Sequence, residues 1–268
     1  MKALLGDHPV TRHFKAHSPL QFAEVEVPNT AFKRVVRDLE FDVAELALMT
    51  FLLAKAHGKP YRLLPAVLTA RFQHSTLAYN PERGELSPDR LEGKRVGMRS
   101  YSVTTATWVR GILAEDHGVD LGKVNWVTLE EPHVAEFRDP PNATRMPAGK
   151  DLTAMLLAGE IDAAILGEPP KGGPLRTLIA DPAAAAAAWQ ARHGAIQINH
   201  MVTVMDTVSD SQAREIFSAL EESREAAGRP EMSPFGVEEN RRNLEAAVDC
   251  IYRQGMIARR FTVNELFQ

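Results

Sequence analysis

The sequence predicts an α/β protein of two lobes with a ligand cleft between them, and three observations carry that reading. Short apolar stretches alternate with helical patterns from the start of the chain. The same alternation begins again after a polar segment, Asn80-Pro-Glu-Arg-Gly-Glu-Leu-Ser-Pro-Asp-Arg. The length, 268 residues, suits two lobes of about 130 residues each.

In the first series, Ala3-Leu-Leu, Phe22-Ala-Glu-Val-Glu-Val, Phe41-Asp-Val-Ala-Glu-Leu and Tyr61-Arg-Leu-Leu-Pro-Ala-Val-Leu read as strands. Residues 9–16 and 30–38 read as helices between the first three, the second opened by Pro28-Asn29-Thr30. Residues 49–57 form a further helix, closed by Gly58 and Pro60. A βαβα order implies parallel strands in one sheet.

The second series opens with Leu91-Glu-Gly-Lys-Arg-Val-Gly-Met, a loop entering a strand. Residues 104–116 form a helix, with apolar Ala106, Val109, Ile112 and Leu113 at helical spacing. Val124-Asn-Trp-Val-Thr-Leu alternates as a strand, and residues 151–158 make a short helix with Asp151 as N-cap. Gly159-Glu-Ile-Asp-Ala-Ala-Ile-Leu-Gly turns tightly into a buried strand. The alanine run 183–188 is a helix started by Asp181-Pro182, because alanine is the best helix former. His200-Met-Val-Thr-Val-Met is a strand, and helices over 211–227, 237–252 and 262–267 finish the chain. The expected division is lobe 1 over 1–90, lobe 2 over 91–198, and a return to lobe 1 with C-terminal helices over 199–268.

The charge balance, 31 Lys+Arg against 35 Asp+Glu for a net −4, has no basic run, so no nucleic-acid partner is expected. No apolar run approaches the ~20 residues of a membrane span, so no membrane partner is expected either. The start, Met1-Lys-Ala-Leu-Leu followed by Gly6-Asp-His-Pro-Val-Thr-Arg-His, lacks the apolar core of a secretory leader, and a cytoplasmic location is the expectation. Cys250 is the single cysteine, which excludes an intrachain disulfide and a thiolate metal cluster. Its apolar helical surroundings read as burial.

Several polar residues stand where α/β folds place ligands. Arg99-Ser-Tyr-Ser-Val-Thr-Thr follows a strand and precedes a helix. Ser100, Ser102, Thr104 and Thr105, with free backbone N–H groups, suit an anion at a helix N-terminus, and Tyr101 suits an aromatic ring. Alternation puts Glu45 on the face of Val43, at the C-terminal end of an apolar strand and so near the mouth of a cleft. A carboxylate capping the next helix is an equal alternative for Glu45. Asp7, His8 and Arg12 follow the first strand and complete the wall of lobe 1, while His200 stands at the expected crossing. Arg71, His74 and Ser75 share the polar loop after the strand 61–68. His8, His74, His200, Asp42 and Glu45 are the candidates for a divalent metal site, but no His-x-x-x-His pair or other close ligand spacing is read, and no metal is expected. Gly167-Glu-Pro-Pro-Lys-Gly-Gly-Pro is a turn-rich connection rather than a phosphate loop.

Phe41-Asp-Val-Ala-Glu-Leu-Ala-Leu, Arg71-Phe-Gln-His-Ser, Leu91-Glu-Gly-Lys-Arg-Val-Gly-Met and Gly159-Glu-Ile-Asp-Ala-Ala-Ile resemble the type II periplasmic binding-protein superfamily. Within it the sequence is most similar to the 4,5-dihydroxyphthalate decarboxylase family. The similarity extends through Tyr101, Thr105-Ala-Thr-Trp-Val-Arg-Gly-Ile-Leu, Pro147-Ala-Gly-Lys and Asn199-His200. The resemblance implies a cytoplasmic lyase that removes one carboxylate from a hydroxylated aromatic diacid without a cofactor.

Such chemistry needs an acid to protonate the ring carbon, a base for the phenol, and cations or donors for the carboxylate that stays. On that reading His74 is the acid and Glu45 the base. Arg71 and the loop 99–105 hold carboxylates, with Asp7, His8, Arg12, Ser75 and His200 as further substrate contacts. The partner expected is a small anionic aromatic substrate, and a homodimer stays open. The alternative function on the same fold is a solute-binding protein of the ABC-transporter type, for a small aromatic or organic anion.

Overall fold

A computed structural model describes residues 1–268, which fall into two units. Unit 1 takes Met1–Arg71, His133–Glu136 and Gly194–Gln268; unit 2 takes Phe72–Pro132 and Phe137–His193. In unit 1 the chain runs β1 (Lys2–Leu4), α1 (Pro9–His17), β2 (Gln21–Phe22), α2 (Phe32–Val36), β3 (Val43–Ala47), α3 (Leu48–Ala56) and β4 (Tyr61–Ala70). Unit 2 follows with β5 (Leu77–Tyr79), β6 (Arg95–Met98), α4 (Thr104–His117), β7 (Asn125–Thr128), β8 (Ala143–Arg145), α5 (Leu152–Ala158), β9 (Ala163–Ile165), β10 (Arg176–Thr177) and α6 (Pro182–His193). The chain returns to unit 1 as β11 (Ile198–Met205), α7 (Asp210–Ala226) and α8 (Val237–Arg253).

The sheet of unit 1 has the order β2-β1-β3-β11-β4. β1 is parallel to both β2 and β3, as the βαβα pattern implies. β11 corrects the expectation of a parallel sheet throughout: it lies between β3 and β4 and is antiparallel to both. Its insertion depends on residues more than a hundred positions away, and no local pattern near β3 or β4 signals it. One core cluster takes Val10 and Phe14 of α1, Ile216 and Leu220 of α7, and Leu64, Val202 and Val204 of the sheet. The Phe14 N–H donates to Ser223 Oγ at 3.0 Å, tying α1 to α7.

The sheet of unit 2 has the order β10-β5-β9-β6-β7-β8. β9, β6, β7 and β8 form its parallel run, and β5 is antiparallel to β9 and β10. Val127, Met155, Leu156, Ile161 and Ala164 pack together on it. The helix ends follow the sequence. Asp151 accepts the Ala154 N–H at 2.8 Å as the N-cap of α5, and Gly118 and Gly159 take left-handed conformations after α4 and α5.

Several elements differ from expectation. The strand read over 22–27 shrinks to β2, and the helix read over 30–38 is a 3-10 turn at Pro28–Ala31 followed by the five residues of α2. The last helix is a 3-10 turn, Asn264–Phe267. β5, β8 and β10 are two- or three-residue strands in segments too short or polar to show alternation. Cys250 is half-buried rather than fully buried. No helix is long and apolar enough to cross a membrane.

Candidate functional site

The most distinctive polar cluster in unit 1 grows from the register of β3 and β11. Glu45 stands opposite Val202, which puts His200, two residues earlier on β11, on the same face as its diagonal neighbour. His200 Nδ1 lies 2.6 Å from Glu45 Oε1. On the other side, the chain leaving β1 turns at Gly6, whose N–H donates to Glu45 Oε2 at 2.8 Å. His8 Nε2 reaches the same oxygen at 2.8 Å. Thr11 fixes that turn: its hydroxyl donates to the Gly6 carbonyl at 2.7 Å and accepts the His8 N–H at 3.0 Å. Pro9 opens α1 with a preset backbone angle and no N–H to satisfy.

Glu45 is 1% exposed at its side chain, whereas His8 and His200 are 21% and 22% exposed. Burial alone raises the proton affinity of the Glu45 carboxyl. Hydrogen bonds from His200 and His8, with the charge those rings can carry, outweigh it and hold the group well below the usual carboxylate range. Glu45 does not cap the following helix, since the N-cap of α3 is Ala47 and has no side-chain bond. Phe32 sets the tilt of His200 with an edge contact at 5.3 Å, and it meets His133 in the same way at 5.6 Å. His133 is buried, with Nδ1 2.9 Å from the Thr50 hydroxyl.

Other expected residues of unit 1 lie apart from this bonding. Asp7 and Arg12 pair with each other on the exposed surface at 3.0 Å. Arg71 is half-buried, and its backbone N–H donates to the Gln197 carbonyl at 3.1 Å.

Unit 2 holds the remaining candidates. His74 opens a 3-10 turn, His74–Thr76, packed against α4 and α6. The residue is 1% exposed, and neither ring nitrogen has a hydrogen-bond partner. Burial lowers its pKa to about 4 against a smaller opposing pull from Asp116, so the ring is neutral at neutral pH. Ser75 beside it is half-buried.

In the loop before α4, Ser100 is fully buried with its Oγ unpartnered. Thr104 is buried, and Arg99 and Thr105 are half-buried. Tyr101 is buried too, with the Arg110 guanidinium 3.7 Å from its ring centre and donating to its carbonyl at 2.8 Å. That stacking makes Tyr101 part of the loop's support. Trp108 is buried and packs edge-on to Trp189 at 5.8 Å, as part of the core.

A concavity of about 540 Å³ opens beside this loop in unit 2. Arg99, Leu129 and Leu166, the residues that follow β6, β7 and β9, line it together with Asp151 and Lys171. It therefore sits at the carboxyl ends of three parallel strands, the usual ligand position in α/β sheets. The Gly/Pro-rich connection over 167–172 forms part of its wall.

No group of three or more His, Cys, Asp or Glu side chains is arranged to hold a metal ion. Gly6, Phe32 and Arg110 shape these clusters without standing out in the sequence, and His13 and His17, one turn apart on α1, correct the expectation that the chain has no His-x-x-x-His pair. In that pair His17 Nδ1 is engaged by the His13 carbonyl at 2.8 Å. Gly6 did have a signal: a glycine just past the first apolar stretch, ahead of Asp7-His8-Pro9.

No family model matches the chain. It is 32% identical over 196 residues to 4,5-dihydroxyphthalate decarboxylase from Comamonas testosteroni, an alignment covering 68% of this chain and 59% of that protein. It is 33% identical over 175 residues to the protein of the same name from Pseudomonas putida, covering 60% of this chain and 68% of the relative. The chain thus spans less than two thirds of the first relative and just over two thirds of the second. Among solved structures it is similar to the alkanesulfonate-binding protein SsuA from Xanthomonas axonopodis pv. citri bound to MOPS. The TM-score is 0.59 at 13% identity, covering 99% of this chain and 96% of the other. It is also similar to the periplasmic aliphatic sulphonate binding protein SsuA from Escherichia coli, with TM-score 0.60 at 11% identity, covering 100% and 96%. At such identity these two show the fold alone, a type II periplasmic-binding-protein-like α/β fold. From the two decarboxylases, the chain belongs to the 4,5-dihydroxyphthalate decarboxylase family.

Proposed function

We propose that this protein removes one carboxylate, as carbon dioxide, from a hydroxylated aromatic dicarboxylate of the 4,5-dihydroxyphthalate kind. The observation that supports this reading most is the buried Glu45 carboxylate held by His8 and His200. A receptor for a small anion gains from donors and cations around its ligand, and a buried negative charge works against it. A decarboxylase needs groups that take and return protons, and histidines fixed by a carboxylate do that.

The reaction balances without a redox cofactor. A base takes the proton of a phenol para to the carboxylate that leaves. Electron density from the phenolate enters the ring, and the ring carbon bearing that carboxylate accepts a proton. The bond to the carboxylate then breaks, its electron pair stays with the ring, and carbon dioxide departs. Return of the first proton restores the phenol.

Both oxygens of Glu45 are engaged and its carboxyl holds its proton weakly, so the base role moves from Glu45 to the histidines it holds. His74 remains the proposed acid of the ring carbon. A substrate carboxylate beside its ring would raise the proton affinity that burial has lowered. Arg71 is proposed as a carboxylate holder in unit 1. Arg99, Ser100, Thr104 and Thr105 have that proposed role in unit 2, supported by the unpartnered Ser100 hydroxyl and the N-terminus of α4. We infer a cytoplasmic location for this activity, which cell fractionation tests.

The likeness to sulfonate-binding proteins favours one second reading, a receptor for a small organic anion. A panel of hydroxylated phthalates, assayed for binding by calorimetry and for carbon dioxide release, separates the two. Release from at least one member supports the decarboxylase. Tight binding without release across the panel supports the receptor.

A further inference from the structure

An ionised carboxylate can only accept hydrogen bonds, so every group on Glu45 must bring a proton to it. Oε1 takes one contact, His200 Nδ1 at 2.6 Å, and Oε2 takes two, the Gly6 N–H and His8 Nε2, each at 2.8 Å. His200 is therefore the Nδ1–H tautomer and His8 the Nε2–H tautomer. In neutral His200 the lone pair then sits on Nε2. Glu45 is sealed from solvent while about a fifth of the His8 side chain and of the His200 side chain is exposed, so a proton exchanged with a bound molecule passes through one of these two rings.

Gly6 is what lets the assembly close. A Cβ on Gly6 would lie 2.7 Å from His8 Nε2, 2.9 Å from Glu45 Oε2 and 2.9 Å from Pro28 Cγ. The Gly6 backbone does not have a positive φ, so the obstacle to a side chain is space alone. Phe32, edge-on to His200, limits rotation of the ring.

We infer that Gly6, His8 and Glu45 are positioning residues that hold His200 in its Nδ1–H tautomer, making His200 Nε2 the atom that takes and returns the hydroxyl proton of the substrate. The reaction half of this inference rests on the proposed decarboxylation, and the tautomer half does not.

The test reads the two halves separately on the full chain. Long-range proton–nitrogen correlation spectra of the protein without substrate, with His200 assigned by loss of its signals in His200→Asn, report the tautomer directly. The expected result is Nδ1–H for His200 in the wild type and a shift towards Nε2–H in both Glu45→Gln and Gly6→Ala. Should Glu45→Gln fail to fold, Gly6→Ala carries the comparison, because its Cβ would press on both His8 Nε2 and Glu45 Oε2; an unchanged Nδ1–H signal for His200 in Gly6→Ala overturns the role of Gly6. Nε2–H in the wild type overturns the positioning role whether or not any phthalate reacts.

For the reaction, Asn at position 200 keeps an amide donor near Glu45 but has no nitrogen at the Nε2 position. The expected loss in kcat for His200→Asn is about 100-fold or more, with KM changed less than about threefold. A His200→Asn variant with wild-type kcat overturns the assignment of Nε2.

Discussion

Glu45 Oε1 accepts a hydrogen bond from His200 Nδ1 at 2.6 Å, although 155 positions of chain separate the two residues. The antiparallel insertion of β11 beside β3 creates that contact, and it ties the return of the chain into unit 1 to the proposed chemistry. Replacing Glu45 with Ala leaves two rings and one backbone N–H without their shared acceptor. We expect a loss of about 1–3 kcal/mol in stability, moderated because both rings reach solvent. Urea denaturation at neutral pH measures it, and an unchanged midpoint would mean that the cluster adds nothing to the fold.

His74 gives unit 2 a pH dependence of its own. Its pKa falls from 6.5 to about 4 on burial, so between those values the unfolded chain binds a proton that the folded protein refuses. Stability is complete above the upper value and is lost as pH falls towards the lower one, by about 3 kcal/mol in all. His74→Met removes the titrating group at similar volume, and its denaturation midpoint should fall less than the wild type's between about pH 7 and pH 5. Parallel decline in both proteins would show that His74 is not the group responsible.

Much of this arrangement was legible in the sequence, and the gaps have physical causes. Glu45 stood out as a carboxylate on an otherwise apolar strand, and His8 and His200 as polar residues at element ends. Their meeting could not be read, because it depends on β11 pairing with β3 rather than on any local pattern. α4 followed from apolar periodicity, α1 and α7 formed where helical stretches are expected, and the alanine run formed α6 as its propensity requires. β10 could not be seen because two residues carry no period. His74 was picked out as a titratable loop residue, but its burial follows from packing against α4 and α6, which its loop sequence does not encode.

Gly97, in the middle of β6, tests the packing of unit 2. A Cβ there would lie 2.6 Å from Ile161 Cδ1 and 2.8 Å from Leu152 Cδ2. Gly97→Ala should cost about 1–3 kcal/mol through overpacking, at the lower end if the two side-chain tips swing aside. Thermal or urea unfolding reads the change; a variant as stable as the wild type would show the strand has room to spare.

Trp108 supports the same unit from α4, buried and edge-on to Trp189. Trp108→Ala removes a large core side chain and should cost about 3–5 kcal/mol. A loss below about 1 kcal/mol would place Trp108 outside the core that holds α4.

Turnover of 4,5-dihydroxyphthalate in heavy water tests the central claim most directly. The account predicts one carbon dioxide released per substrate consumed, and one deuterium in the product at the ring carbon that lost its carboxylate. Substrate recovered unchanged from a protein shown to bind it would contradict the claim and leave a binding protein in its place.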